Sequence, residues 1–205
     1  MEKIKKLCAT RTFKIIKWVF FILLIAYFVL VIYRVFFLFN QDKINAQVEK
    51  IHNTKLTMND IMGKNLPPDP GTLADKTVQG VDANNNGIRD DVELAIFNAY
   101  PNSAKTRAVL LQYALTLQKE IAESFLNTDI ATAVAEEESR SYDCIGKIVS
   151  DGYSGIKEID KYRSFVENIQ FNTSERKNMK SKYEQNVRSF ELQSGCDVDI
   201  SKLLN

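Results

Sequence analysis

Residues 18–39 read WVFFILLIAYFVLVIYRVFFLF, a run in which Arg34 carries the only charge. As a helix rising 1.5 Å per residue, this run is roughly 33 Å long, about the thickness of the hydrocarbon core of a bilayer. Arg34 lies near the far end, where its long side chain can reach the interface, and Trp18 and Tyr33 suit interfacial positions. The run therefore predicts a transmembrane helix.

Two other structures could account for this run, a cleaved signal peptide and a buried core helix. A cleaved signal peptide has a shorter apolar core and a small-residue cleavage site, but here the polar residues NQDK follow at 40–43. No small-residue motif ending in cysteine, as in a lipoprotein, closes the run either. A buried core helix fits poorly with bulky apolar side chains on every face. We therefore expect an uncleaved signal anchor.

The charges that flank the run predict its orientation. Residues 1–17 contain one acid, Glu2, and six basic residues: Lys3, Lys5, Lys6, Arg11, Lys14 and Lys17. The flank after the run is balanced, and basic flanks stay on the cytoplasmic side. We expect a basic cytoplasmic tail at 1–17, the anchor at 18–39, and the remaining chain in the periplasm, outside the cell or in a lumen.

The formal net charge of +1 hides an uneven distribution. Residues 40–205 carry 20 basic and 25 acidic side chains, a net charge of −5. No basic stripe stands out, so a nucleic-acid partner is not expected. The expected partners are the membrane itself and an envelope protein that the sequence does not identify.

The three cysteines agree with this topology. Cys8 precedes the span and should stay reduced, whereas Cys144 and Cys196 follow it, in a compartment where disulfides persist. We expect a Cys144–Cys196 bridge that ties the C-terminal segment to an internal helix. The alternative is two buried free thiols.

Between the anchor and the compact domain, residues 40–71 predict a juxtamembrane helix and a linker. Apolar residues recur at helical spacing in 40–62, which extends the anchor or lies at the membrane surface. GKNLPPDPG at 63–71 holds three of the four prolines and is typical of a linker or an extended wrap. The compact domain is expected to span 72–205.

The outer domain is expected to be all-α, with four or five helices. Few strand signals occur, because no Asn-Gly or Asp-Gly pair is flanked on both sides by alternating apolar residues. A short helix contains Val92 and stops at Tyr100-Pro101, and a long helix begins near Ser103. Thr128 and Thr173 are predicted N-caps of later helices.

Apolar periodicity predicts which side chains of these helices face inward. The three glutamates Glu136, Glu137 and Glu138 are assigned to a solvated polar face. The predicted inward residues are Val92, Ile96, Ala99; Val109, Tyr113, Leu117, Ile121, Phe125; Val134, Ile145, Ile148; Ile156, Ile159, Tyr162, Phe165, Ile169; and Met179, Tyr183, Val187, Phe190.

VDANNNGIRDDVE, residues 81–93, concentrates oxygen-bearing side chains around one glycine. The spacing from Asp82 to Glu93 fits the whole twelve-residue pattern D-x-[DN]-x-[DN]-G-x5-E of a calcium loop. Alternate side chains can converge on one point, and Gly87 permits the sharp turn between them. The expected ligands are Asp82, Asn84, Asn86, the Ile88 carbonyl, Asp90 directly or through water, and both carboxylate oxygens of Glu93.

Through these residues, 82–93 resembles the EF-hand calcium loop, and more closely its single-loop extracellular relatives, such as dockerin-like and thrombospondin-type-3-like loops. It differs from a full EF-hand in three ways: no entering helix precedes it, no second loop pairs with it, and Arg89 occupies the usually apolar eighth position. The resemblance implies a Ca²⁺ site and not a paired calcium sensor. The stretch from LPPDPG to GIRDDVE is also similar to uncharacterised bacterial membrane-anchored proteins and lipoproteins, which implies no activity.

Three carboxylates and two amides form a site of moderate charge, for which we expect a dissociation constant of roughly 10⁻⁴–10⁻³ M, as in extracellular modules. Two alternatives stay open for the same residues. One is a metal-free Asn-Gly turn followed by an Asp N-cap. The other is a different cation such as Mg²⁺, which prefers fewer protein ligands.

Motifs for catalysis are missing. His52 is the only histidine and lies close to the membrane, so neither a Ser/His/Asp nor a Cys/His mechanism is supported, and no G-x-S-x-G, P-loop or G-x-G-x-x-G occurs. We expect no enzyme, although a deep acidic pocket away from 82–93 would favour a carboxylate-only hydrolase. The expected function is a membrane-anchored calcium-binding protein that binds or scaffolds at the cell envelope. The alternative is a metal-independent partner-binding module, such as an accessory subunit or a membrane-bound inhibitor.

Overall fold

The computed structural model describes residues 2–122, 127–149 and 153–203. Within these ranges the chain forms seven α-helices and no β-strand, which confirms the expected all-α class. The elements are α1 (Glu2–Asn53), α2 (Met58–Ile61), a 3-10 turn (Gly71–Asp75), α3 (Asp90–Ala99), α4 (Ala104–Ala122), α5 (Thr128–Gly146), α6 (Tyr153–Gln170), α7 (Ser174–Asn186) and a second 3-10 turn (Ile200–Lys202).

The chain divides into two compact units, Met1–Ala46 and Gln47–Asn205. In the first unit, α1 presents large apolar side chains on all its faces, and Trp18 and Phe36 expose 70% and 72% of their surface. Such a continuous apolar surface is unfavourable in water. By length and composition, this one helix could cross a membrane, in agreement with the run at 18–39.

The second unit begins earlier than the start of the domain predicted at Thr72. Leu56 and Ile61 are buried in its main core together with residues of α3 and α4. The proline-rich stretch at 63–71 is non-helical up to the first 3-10 turn, as expected. The segment 40–71, assigned to a juxtamembrane helix and a linker, therefore contributes residues of its helical part to the core.

Helix α4 lies at the centre of the second unit and packs against α2, α3, α5, α6 and α7. Its predicted apolar ladder is fully buried at Val109, Tyr113, Leu117 and Ile121. Phe125, the last residue of that ladder, lies outside the described residues. The burial goes beyond the ladder, because every residue of α4 from 106 to 121 is buried.

Long polar side chains of α4 bind the main chain of the segments that surround it. Lys119 donates through Nζ to the carbonyl oxygens of Ile51, at 2.8 Å, and Thr54, at 3.3 Å, where α1 ends. Arg107 donates through Nε to the Ile61 carbonyl at 3.1 Å. These bonds satisfy carbonyls that a helix end leaves without a partner.

Two glutamines of α4 bind segments that have no regular secondary structure. Gln118 donates to the carbonyl of Gln79 at 2.8 Å. Gln112 donates to the carbonyl of Gly195 at 3.3 Å and accepts from the N–H of Asp197 at 2.8 Å. Helix α4 thus binds both the segment that precedes the loop at 82–93 and the C-terminal segment.

Helix boundaries follow the sequence with local corrections. Thr173 caps α7 by accepting from the N–H of Arg176, as predicted. The predicted cap Thr128 is wrong, because Asn127 precedes it and accepts from the N–H of Ile130 at 2.8 Å. Asparagine caps at least as well as threonine, so the earlier residue takes the role.

Several residues predicted on inward faces lie elsewhere. Ala99 is exposed, and Ile156 exposes 55% of its surface near the start of α6. Val187 and Phe190 follow the end of α7 and pack, partly buried, against a second small core from an extended segment. Ile148 likewise lies beyond the end of α5 but still packs on the main core.

The predicted disulfide is confirmed. Cys144 of α5 and Cys196 are bonded, with their Cα atoms 5.1 Å apart and a sequence separation of 52. In the chain-entropy model, closing a loop of this length stabilises the fold by about 4 kcal/mol. Nearby, the N–H of Gly195 donates to Asp143 Oδ2 at 2.8 Å. The disulfide and this hydrogen bond together hold the C-terminal segment against α5.

One polar side chain of α4 has no hydrogen-bond partner among the described residues. Glu120 is 1% exposed, and neither of its carboxylate oxygens is hydrogen-bonded. Burial, reinforced by the charge of Glu138, raises the pKa of Glu120 well above its usual range. The folded state therefore binds this proton more tightly than the unfolded chain does.

Glu120→Gln should show this difference as a pH-dependent gain in stability. The wild type keeps the stabilising contribution of the protonated carboxyl below the unfolded pKa and loses it as pH rises toward the folded pKa. Because glutamine does not titrate, the Tm of the variant minus that of the wild type should grow between about pH 5 and pH 8. Thermal unfolding followed by circular dichroism measures this difference, with the exposed Glu49→Gln as control. An equal difference at both pH values would contradict it.

Candidate metal centre

The loop at 82–93 folds around the side chain of its first residue. Asp82 accepts from the N–H of Asn86 through Oδ1, at 3.1 Å, and from the N–H of Gly87 through Oδ2, at 2.9 Å. Gly87 has a φ of 85°, which favours glycine, and a Cβ there would lie 2.8 Å from a methyl carbon of Leu115. The turn therefore depends on Gly87 for both conformation and space.

Three of the predicted ligands meet on one side of this turn. Asn84 and Asn86 each donate a side-chain N–H to Glu93 Oε2, at 3.0 and 2.9 Å. Rotation of each amide by about half a turn exchanges its nitrogen for its oxygen. The third, fifth and twelfth positions of the loop are thus already converged, with two amide groups facing a carboxylate.

Glu93 is fully buried, and its second oxygen, Oε1, has no hydrogen-bond partner among the described residues. Burial raises the pKa of Glu93 to about 7, and the hydrogen bonds from Asn84 and Asn86 only partly oppose it. The charges of Asp60 and Asp90 raise the pKa further. An ionised carboxylate at this position lacks compensation that a cation would supply.

Asp90 and Ile88 lie at the junction of the loop with α3. Asp90 is fully buried, and its carboxylate accepts from the N–H of Ala83 at 3.0 and 3.2 Å. Burial raises the pKa of Asp90 as well. Ile88 packs its side chain in the main core and donates its N–H to Asn86 Oδ1 at 2.8 Å. Both residues therefore fix the loop to the helix that follows it.

The oxygen donors of the loop fit a hard cation such as Ca²⁺ in their chemistry. Among the described residues, no group of three His, Cys, Asp or Glu side chains stands close enough to hold a metal ion. The three predicted carboxylates, Asp82, Asp90 and Glu93, are therefore not gathered as a group, and the ligands that the structure brings together are Glu93 and the amides of Asn84 and Asn86. The unpartnered Oε1 of Glu93 is the feature of this geometry that a bound cation would explain.

Arg89, the residue that departs from the EF-hand pattern, is fully buried. It forms a two-pronged ion pair with Asp91, at 2.5 and 2.9 Å, and donates to the carbonyls of Ile169 and Gln170 at 2.7 and 3.0 Å. These carbonyls end α6 and have no partner within that helix. The loop is therefore locked to α6 by a guanidinium group, with no ion required for that contact.

Sequence reasoning missed two neighbours of the candidate site that lie outside 82–93. Asn84 also donates to the carbonyl of Asn65 at 2.8 Å. Asp60 forms a capping box with Thr57 at the start of α2, and its charge acts on Glu93. The T-x-x-D spacing of that box is visible in the sequence, whereas its proximity to Glu93 is a result of tertiary packing.

The glutamates assigned to a solvated face include a buried one, so that assignment is wrong for Glu137. Its carboxylate lies 3.0 Å from His52 Nδ1 and 2.8 Å from Lys55 Nζ, and it accepts from Arg140. Burial by itself raises the pKa of Glu137, but these hydrogen bonds outweigh it and lower the pKa to about 2. Arg140 also pairs with the buried Asp197 at 2.6 Å. The cluster is fully paired and ties α5 to the end of α1 and to the C-terminal segment.

Comparisons of this chain with models of protein families, with curated proteins and with solved structures find no match.

Arg89→Lys should destabilise the domain by about 2–3 kcal/mol, because lysine cannot keep both the paired contact with Asp91 and the two carbonyl bonds. Urea unfolding of the full chain in detergent, followed by circular dichroism, measures this loss. The exposed Arg188→Lys is the matched control and should change stability by less than about 0.5 kcal/mol. Equal effects of the two substitutions would show that the buried guanidinium is unimportant.

Proposed function

We propose that the protein is a single-pass membrane protein of the cell envelope, whose helical domain binds one calcium ion in the loop at 82–93 and serves as a binding or scaffolding module. The observation that carries the calcium site is the fully buried Glu93, with one carboxylate oxygen unpartnered beside two converged asparagine amides. The ion would be held by oxygen atoms of Asp82, Asn84, Asn86, Ile88, Asp90 and Glu93.

The chemical role proposed for the ion is structural. It would neutralise carboxylates that burial disfavours in their charged form and would brace the start of α3. Arg89 binds the end of α6, and Asn84 binds the main chain at Asn65. The loop therefore already contacts both α6 and the segment that follows α2. A cation at this position would stiffen contacts that exist without it.

The topology is part of the same proposal. The tail at 1–17 would lie in the cytoplasm, and the domain would lie in the periplasm or outside the cell. The Cys144–Cys196 bridge supports this orientation, because disulfides persist mainly in oxidising compartments.

A specific observation favours the second candidate, a metal-independent partner-binding module. The loop is closed by its own hydrogen bonds, with Asp82 on two backbone N–H groups and the asparagine amides on Glu93. In that case Glu93 would be protonated in the folded protein and would need no ion.

Calcium titration separates the two candidates. At calcium about ten times its Kd, binding to the folded state stabilises it by about 1.4 kcal/mol. For a domain of this size that is a rise in Tm of roughly 3–6 °C. We expect this rise for the full chain in detergent with millimolar-range calcium and not with magnesium, followed by circular dichroism.

Glu93→Gln is the most informative variant in that titration. The amide removes a buried charge and offers a donor in place of the unpartnered oxygen, so the fold should be kept while the calcium response is lost. Asp82→Ala should also lose the response, and Asp160→Ala, at an exposed position of α6, should keep it. If the wild type shows no calcium-dependent shift, the calcium site is excluded and the metal-independent module is favoured. If Glu93→Gln keeps the shift, calcium binds the protein without Glu93, and the proposed site is excluded.

Cys8 allows a direct test of the orientation, because Cys144 and Cys196 are bonded to each other and leave Cys8 as the free thiol of the three. In intact cells or sealed spheroplasts that express the full chain, a membrane-impermeant maleimide should not label Cys8. Labelling should appear after the membrane is permeabilised, and Cys8→Ser should abolish it. Labelling of sealed cells would place the N-terminus outside.

A further inference from the structure

A groove lies between α5 and the extended segment that follows α7, far along the chain from the calcium loop. Its volume is about 810 Å3, and its walls come from α5 and Lys147 just after it, from Arg163 of α6, and from Phe190, Leu192, Gln193 and Ser194. The segment that contains these last four residues is held to α5 at two points. The N–H of Arg188 donates to Thr132 Oγ1 at 3.4 Å, and the N–H of Gln193 donates to Ser139 Oγ at 2.9 Å.

The rim of the groove is apolar and open to solvent. Tyr142 exposes 42% of its surface and Leu192 exposes 80%, while Phe190 is half-buried. At the end of α5, a Cβ built on Gly146 would meet no heavy atom within 4 Å, so the groove is not filled there. An elongated ligand with apolar groups fits an open trough of this kind better than a small compact one does.

The charged groups of the groove are unequally satisfied. Lys147 pairs with Asp143 at 3.1 Å, and Arg163 pairs with Glu167 at 3.2 Å. The carboxylate of Glu138 forms no ion pair among the described residues, and the one hydrogen bond that it accepts there comes from the Tyr183 hydroxyl at 3.4 Å. Glu138 is thus the one charged side chain of the groove walls without an ion pair among the described residues.

Arg163 does not pair with Glu138, although both side chains line the groove. Its guanidinium lies over the ring of Tyr142, 5.2 Å from the centroid, and donates to the Tyr113 hydroxyl at 3.2 Å. Lys180 and, to a smaller extent, Arg163 act on Glu138 only at longer range, where they lower the pKa of that carboxyl against the larger raising effect of burial. With two acids and two bases in its walls, the groove is not the acidic pocket that would favour a hydrolase.

We propose that this groove docks a polypeptide segment of a partner protein, which places a Lys or Arg side chain against Glu138 and apolar neighbours against Tyr142 and Leu192. Charge complementarity selects the basic side chain, because a cation there completes the one unpaired carboxylate. The apolar rim supplies the contact area that a single ion pair lacks. The inference rests on the partner-binding part of the proposed function and names the chemistry of the partner.

The groove and the calcium loop have no residue in common, so the two ideas fail separately. Selection of a phage-displayed library of random linear peptides against the full chain in lipid nanodiscs, with calcium present, provides the probes. Enriched peptides should carry a Lys or Arg beside apolar residues. Their binding should persist in Asp82→Ala, which removes the candidate ion site and leaves the groove intact.

Two variants test the groove, each with a matched control. Glu138→Gln should weaken a fluorescein-labelled enriched peptide by about tenfold or more, while Glu191→Gln, an exposed glutamate outside the groove walls, should not. Gly146→Leu should block binding by filling the groove, while Gly146→Ala should preserve it. Circular dichroism and Tm must match the wild type, and the open space at Gly146 makes both substitutions tolerable.

Three results would overturn the docking site. One is that no linear peptide is enriched. Another is that enriched peptides lack a basic residue or bind Glu138→Gln and Gly146→Leu as tightly as they bind the wild type. The third is that N-acetyl-lysine-N′-methylamide competes as well as the peptide, which would make the groove a site for a small amine.

Discussion

A helix that is buried on every side has to satisfy its polar side chains inside the protein, and α4 is such a helix. Its apolar residues contribute to the main core, but the domain also depends on which groups its polar side chains bind. The side chains of Lys119, Arg107, Gln118 and Gln112 bind main-chain groups of α1, of α2, of the segment before the loop at 82–93 and of the C-terminal segment. An unpaired polar group at these depths would cost about 1–3 kcal/mol, so each bond favours one placement of its segment.

The same principle explains two buried arginines near the loop. Arg89 holds the end of α6, and Arg176 holds the segment around the first 3-10 turn through Val78, Ala74 and Asp75. Both satisfy carbonyl groups that no helix or strand satisfies. The domain therefore uses charged side chains as main-chain partners where long segments lack regular secondary structure. Glu93 and Glu120 are exceptions, since each buries a carboxylate oxygen that has neither a hydrogen bond nor an ion pair in the described structure.

The candidate ion site and the groove depend on different parts of this architecture. The loop at 82–93 is held between α3, α6 and the segment that follows α2. Its side chains bind main-chain carbonyls of residues that are distant in the chain. The groove depends on the C-terminal segment, which the disulfide and a few backbone bonds hold on α5. The proposed binding module would therefore use these two parts separately, with the ion at the loop and the partner segment in the groove on α5.

Local patterns in the sequence were sufficient for the apolar first helix, the all-α class, the cap at Thr173, the disulfide and the convergence of Asn84 and Asn86 on Glu93. Each of these depends on spacing along the chain or, for the disulfide, on the compartment that the anchor predicts. Burial of Glu137, the lock formed by Arg89 and the groove beside Glu138 were decided only by tertiary structure. In each case at least one partner lies far away in the chain, and a charged residue has the same local pattern whether water or a distant side chain solvates it.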